Sequence, residues 1–298
     1  MAPGILQLLS GDGGSVILPG EADRLADEQG CFDLMPVLRG IVTTLPEDVF
    51  LWLEGEKRKL ARFLPPHSQQ EKDCTAHAWA VAAQDYVLCR DTEDWLGELS
   101  TEVLYGGSRH TIGKGRLAQP GSCCAWVAAF LVKYGVLVRG QYANYDLSSY
   151  SFTLTQQFGQ TGLPSELTNR LHLIQRAENT PAQVSRVRSA DMAQTALTKL
   201  CPVPFSSRRG FETVRGSEGI CQPKGEWNHC MVMRGVCRTA SGKLCFAVQN
   251  SVGDYLGEQN QIVPLSNGRT ILLPPGVFLV DAEVINEICD KEDAYTIF

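Results

Sequence analysis

The chain changes pattern about half-way along, and no other feature limits its fold as much. From Asp73 to about residue 140 the apolar residues recur at helical spacing. From Pro202 onward they fall in short runs, mostly β-branched, with Gly or Asn between them. Alternating βαβ units would interleave the two patterns. A helical half followed by a strand-rich half predicts a segregated α+β fold.

The helical half contains three candidate helices. One runs from Asp73 to about Cys89, a second from Asp91 to Leu104 with Asp91 as N-cap, and a third opens at Gly121-Ser122-Cys123-Cys124 and is closed by Gly135. Between the last two, Tyr105-Gly106-Gly107-Ser108-Arg109 and Gly113-Lys114-Gly115-Arg116 read as a glycine-rich loop. That loop lacks the strand before and the helix directly after that a phosphate cradle needs. The strand runs are Pro202–Phe205, His229–Val236, Leu244–Gln249 and Val277–Val280. Arg238 to Gly242 is a hairpin turn, and Pro274-Pro275-Gly276 turns into the last strand.

With 298 residues, 44% of them hydrophobic, the chain can bury the core of two lobes. The expected division is an N-terminal extension over 1–62, a helical lobe over 63–140 and a β-rich lobe over 141–298. The extension begins Gly-rich and acidic. A helix is expected within 33–63, opened by Pro46-Glu47-Asp48, striped by Val49, Phe50, Leu53 and Leu60, and ended by Pro65-Pro66. It reads as an added packing layer, with a removable propeptide-like cover as the alternative.

A net charge of −6 without a basic face excludes a nucleic-acid binder. No apolar run approaches the roughly 20 residues of a membrane span. Eleven cysteines, an odd number, follow an N-terminus without the charged and apolar regions of a secretory signal. They read as reduced thiols in a cytoplasmic protein. Cys74 and His77 have ligand spacing, but no second pair completes a metal site, so neither metal nor cofactor is expected.

Cys74 stands where a nucleophile is made. Asp73 can cap the helix, the alanines that follow let a neighbour approach closely, and the positive end of the dipole favours a thiolate of lowered pKa. The partner for such a thiol lies in Asn228-His229-Cys230-Met231-Val232-Met233, where a histidine opens an apolar strand. The next strand ends in Gln249-Asn250-Ser251, so neighbouring antiparallel strands can set His229 beside Asn250. A thiol, an imidazole that takes its proton and an amide that orients the imidazole form a nucleophilic constellation. His77, three residues after Cys74, reads as a packed helix residue. Trp227 reads as core or cleft wall.

In this order the residues resemble a papain-like cysteine peptidase over about residues 66–285. Cys74 heads a small-residue helix, and Gly121-Ser122 is similar to the family's substrate-binding loop. Asn228-His229 with the apolar strand to Gly235 resembles the histidine motif. Gln249-Asn250-Ser251-Val252-Gly253 resembles the asparagine motif, and Gly276 to Val280 the closing strand. Cys74 precedes His229 by 155 residues and Asn250 by 176, against roughly 130–150 in that family. More loosely, the chain is similar to papain-like proteins of bacteria and tailed phages. A phage origin would put it in a virion or in the host cytoplasm.

The resemblance implies a helical lobe bearing Cys74 against a β-rich lobe bearing His229 and Asn250, with the site between them. It implies cysteine-dependent hydrolysis of a peptide or isopeptide bond through an acyl-enzyme, on a protein or peptide substrate, without a cofactor. Gly121, Ser122, Asn228 and Trp227 would contact substrate, Trp227 on the primed side. The family's oxyanion glutamine stands six residues before the cysteine. Here that position is Ser68, so Gln70 or Gln69 takes the role. Asp73 and Thr75 replace the usual flanks of the nucleophile, and Val252 replaces the tryptophan after the asparagine. Leu256-Gly257 stands for the second Trp-Gly. These departures leave open a catalytically silent binding or assembly module, and an amidase or acyltransferase using the same trio. No oligomeric state is implied.

Overall fold

A computed structural model describes residues 48–57, 69–90, 97–174, 181–252, 257 and 259–298. It shows the α+β architecture that the pattern predicts. In chain order the first elements are β1 (Val49–Phe50), α1 (Leu51–Lys57), α2 (Cys74–Leu88) and α3 (Thr101–Gly106). A π-turn (Gly107–Ile112), α4 (Cys124–Tyr134), the ribbon β2 (Gln141–Tyr142) and β3 (Tyr145–Asp146), α5 (Phe152–Thr161) and α6 (Ser165–Thr168) follow. The remainder is β4 (Val184–Arg186), α7 (Ala190–Thr198), β5 (Val203–Phe211), β6 (Pro223–Arg238), β7 (Leu244–Gln249), β8 (Gln261–Pro264), β9 (Thr270–Leu273), β10 (Val277–Asp281), α8 (Ala282–Lys291) and β11 (Asp293–Ile297).

The main sheet is antiparallel with order β10-β7-β6-β5-β11-β4, and β1 pairs with β6 beyond the start of β5. Strand β6 divides the core by its alternation. Cys230 and Val232 join the cluster of α2, α3 and α4, whereas Met231 and Met233 join that of α7 and α8 on the other face. A bulge between Met233 and Gly235 shifts the β6–β7 register at Arg234 and reverses the alternation, so Val236 falls on the α7–α8 side. Arg234 itself turns to α2. Its Nε and Nη2 donate to the two carboxylate oxygens of Asp85 at 2.6 and 2.7 Å, and its Nη1 donates to Gln249.

Several expectations need correction. Val49 and Phe50 form a strand rather than part of a helix, as suits a β-branched and an aromatic residue facing the β6 edge. Asp48 opens no helix: its carboxylate accepts from the Arg238 amide at 2.9 Å and from the Asn267 side chain. Pro46, Glu47, Leu60, Pro65 and Pro66 lie outside the described residues, as does Asp91. Helix α3 is capped by Ser100, whose hydroxyl accepts from the Val103 amide.

The first part of the glycine-rich stretch, Tyr105 to Arg109, is helical, whereas Gly113-Lys114-Gly115-Arg116 forms a turn. A Cβ on Gly107 would stand 2.3 Å from the Phe130 ring, and one on Gly106 2.6 Å from Phe158 Cβ. Those two glycines serve close packing on α4 and α5, which corrects the loop reading at this end of the stretch. After β10 the chain continues through α8, which buries Ile285, Ile288 and Cys289, and ends in a strand, so Val277–Val280 is not the last. No disulfide joins the ten described cysteines, all of them buried. No helix among the described residues is long and apolar enough to cross a membrane.

Candidate active site

The head of α2 differs from the expected cap. The Asp73 carboxylate makes no capping bond; its backbone carbonyl accepts from the Ala76 and His77 amides instead. The carboxylate turns inward. Its Oδ2 lies 3.2 Å from His77 Nε2 and accepts from the Tyr150 hydroxyl at 3.1 Å. The four-residue spacing on a helix puts Asp73 and His77 on one face, and this spacing was the available sequence signal for the pair. Nothing in the sequence pointed to Tyr150.

Cys74 follows and is fully buried. Its Sγ accepts from the Cys230 backbone N–H at 3.4 Å, so α2 meets β6 one residue from His229. Burial pushes the Cys74 thiol up to about 12; the Cys230 N–H works against that and the Asp73 carboxylate adds to it. The expected lowering is therefore reversed, because the loss of water outweighs the dipole of the first turn.

His229 lies in β6 opposite Ser207 of β5, its ring 5.5 Å from that of Trp227. It is fully buried, and neither ring nitrogen has a hydrogen-bond partner among the described residues. Burial first, and then the charge of His77, push its pKa down to about 3. Asn250 follows β7 directly. Its side-chain amide donates to the Gly276 carbonyl at 3.3 Å, and its Oδ1 accepts from the Val252 amide at 2.5 Å. Asn250 therefore fastens the loop after β7 to the turn before β10, and the structure does not pair it with His229. The imidazole that shares a small cavity with Asn250 and Ser251 is that of His77, together with Ala78, Val81, Met231, Val232 and Gln249.

No family model matches the chain, and no curated protein matches its sequence. Solved structures do. Xylellain, a cysteine protease from Xylella fastidiosa, is 17% identical with a TM-score of 0.55, and the match covers 96% of each chain. Digestive procathepsin L 3 of Tenebrio molitor is 13% identical with a TM-score of 0.53, over 85% of this chain and 70% of that one. The bromelain protease of Ananas comosus is 15% identical with a TM-score of 0.50, over 84% and 98%. The chain has the papain-like fold.

Within this papain-like fold, the remaining expected residues are placed as follows. Gln69 is buried; its Oε1 accepts from the Ser251 hydroxyl at 2.5 Å and its Nε2 donates to the Glu71 carbonyl at 3.1 Å. Gln70 is exposed, with its amide directed to the Tyr150 hydroxyl at 3.4 Å. Gly121 and Ser122 are buried in the helical lobe. The Gly121 amide donates to the Tyr105 hydroxyl at 2.9 Å, and the Ser122 and Ser108 hydroxyls lie 2.8 Å apart.

Trp227 packs on Phe211 and donates its indole N–H to the Arg209 carbonyl, while Asn228 beside it is half-buried. Val252 is buried in the sheet core. Gly253 and Leu256 lie outside the described residues. Sequence reading missed the buried Asp85–Arg234 pair. A lone arginine in an apolar strand was its signal, since a buried guanidinium demands a partner. Among the described residues, no group of three or more His, Cys, Asp or Glu could hold a metal ion.

Proposed function

We propose that the chain is a papain-like cysteine peptidase acting on a peptide or isopeptide bond through Cys74, His229 and Asn250. One observation carries this reading. The thiol at the head of a buried helix is held against the strand bearing His229 by the Cys230 N–H, and the two nitrogens of His229 are buried without partners among the described residues. An unsatisfied buried polar group costs about 1–3 kcal/mol, which a merely packed histidine does not repay.

The reaction starts from neutral groups. Opening of the site to substrate and water lowers the desolvation that keeps both uncharged. Cys74 passes its proton to His229, and the thiolate attacks the carbonyl carbon. The Cys74 amide and the Gln69 side chain donate to the oxyanion. Ser251 fixes Gln69 Oε1 as an acceptor and so turns the Gln69 NH2 toward donation. His229 returns the proton to the leaving amine, and water attacking the acyl-enzyme releases the product with His229 again as base. Asn250 exchanges its bonds to the loop for the second ring N–H of His229.

A second reading is a catalytically silent module of the same fold that binds a protein partner. It is favoured by the Asn250 amide being spent on Gly276 and Val252. Hydrolysis of a mixed fluorogenic peptide library separates the two. Activity that disappears in both Cys74→Ala and His229→Ala supports the peptidase. Activity that survives in Cys74→Ala refutes it. An inactive wild type whose Cys74 alkylates like an ordinary thiol, with a midpoint near pH 8.5 and no response to His229→Ala, establishes the binding module.

A further inference from the structure

Asp73 and His77 flank Cys74 on the first turn of α2, and the reaction above uses neither. An aspartate at this position ordinarily caps the helix, whereas this one is fully buried and faces inward. Its Oδ2 is 3.2 Å from His77 Nε2 and 3.1 Å from the Tyr150 hydroxyl, while its Oδ1 is buried without a partner among the described residues. The Tyr150 ring lies 5.3 Å from the His77 ring and covers the pair. Desolvating two charges in this way seldom adds stability, so the arrangement calls for another explanation.

The order of charges supplies one. The carboxylate adjoins the sulfur that must become an anion. The imidazole faces β6 at Met231 and Val232, two and three residues along the strand from His229, which must hold a cation. Like is set against like at both ends.

We propose that Asp73 and His77 form a counter-pair that opposes charge separation between Cys74 and His229 and so holds the site uncharged until opening breaks the pair. The proposal rests on the peptidase reading and makes Asp73 and His77 positioning residues rather than catalytic ones. It agrees with the sign of their effects: after burial, Asp73 helps to push the Cys74 thiol up and His77 helps to push His229 down. The other titratable groups facing the site are Tyr150 before α5, Tyr105 of α3, Glu71, Cys124 of α4 and Cys230 of β6. Of these, the two tyrosines and Cys230 are pushed up chiefly by burial and stay neutral at ordinary pH, which leaves the counter-pair as the nearest source of both signs.

The test is the pH dependence of Cys74 alkylation by iodoacetamide, read site by site by mass spectrometry on the full chain. Asp73→Asn keeps the shape and removes the carboxylate beside His77 and Cys74. Its midpoint is expected to fall by at least about one pH unit, a roughly tenfold faster reaction at a fixed pH below the midpoint, with an unchanged plateau rate. Asp73→Asn/His77→Gln is expected to match it. Should Asp73→Asn fail to fold, Asp73→Asn/His77→Gln, which leaves neither member of the pair charged, carries the test. A midpoint that stays or rises overturns the counter-pair, and so does a raised plateau with an unmoved midpoint, since a loosened site would give that. His229→Ala separates the two levels. If it leaves the wild-type midpoint unchanged, the Cys74–His229 reading itself is lost. If it moves the midpoint while Asp73→Asn does not, only the counter-pair is lost.

Discussion

Replacing Asp85 with alanine is expected to cost about 3 kcal/mol of folding stability. The carboxylate accepts two N–H bonds from Arg234 at 2.6 and 2.7 Å, with the residues only 3% and 2% exposed. Removing one partner from such a pair leaves a buried charge and costs about 3–5 kcal/mol. Gln249 still accepts from Arg234 and the Trp52 ring still faces the guanidinium, which places the loss at the lower end. Against a total of about 5–15 kcal/mol for a folded domain, this is a large fraction. Urea unfolding followed by tryptophan fluorescence measures it. Asp85→Leu/Arg234→Met, which removes both charges, is expected to recover most of the loss, giving a large coupling in the double-mutant cycle. A cost below about 1 kcal/mol for Asp85→Ala at unchanged m-value, or a double variant that equals the sum of the singles, refutes the reasoning.

Other outcomes follow from the same structure. His229 titrates at about 3 when folded against 6.5 for an ordinary histidine. The unfolded chain therefore binds a proton that the folded one does not, and the stability present above pH 6.5 is lost as the pH falls toward 3. The ceiling is about 5 kcal/mol at 1.36 kcal/mol per unit; urea midpoints at several pH values measure it, and His229→Gln should flatten the slope. Gly135 ends α4 at φ +97°, where a Cβ would stand 2.2 Å from the His172 carbonyl oxygen. Gly135→Ala should cost more than about 1 kcal/mol, visible as a lower melting temperature. Gln69→Glu removes the proposed oxyanion donor and should lower kcat about 100- to 1,000-fold with little change in KM, as steady-state peptide hydrolysis would report.

What the sequence disclosed follows the range of the forces involved. Helix α2 and strand β7 were legible because alanine propensity and an apolar run bounded by polar residues act locally. The fold class was legible because helical spacing dominates before about residue 140 and short apolar strand runs dominate after Pro202. Asp73 was misjudged because a cap and an inward ion pair start from the same residue, and His77 and Tyr150 decide between them from one turn and one loop away. The state of the Cys74 thiol was misjudged for a related reason: the helix dipole is written in the sequence, whereas the burial that outweighs it exists only after β6 arrives. The glycines at 106 and 107 looked like a loop because their neighbours, Phe158 and Phe130, are distant in the chain. Segment 140–200 stayed opaque, since its helices α5 and α7 are amphipathic against partners that the local sequence does not name.

Strand β11 lies inside the main sheet, between β5 and β4, although it is the last element described. Thr296 donates to the Pro202 carbonyl, and the Phe298 amide to that of Gln183. During synthesis, at about 5–20 residues per second, β5 and β4 must wait for this strand before the sheet can close. Cys74 will have left the ribosome long before then, and its Cys230 contact depends on β6 being seated on β5. Assembly of the site is thus tied to the synthesis of β11, and a chain interrupted before residue 293 would carry every proposed catalytic residue without the sheet that brings them together.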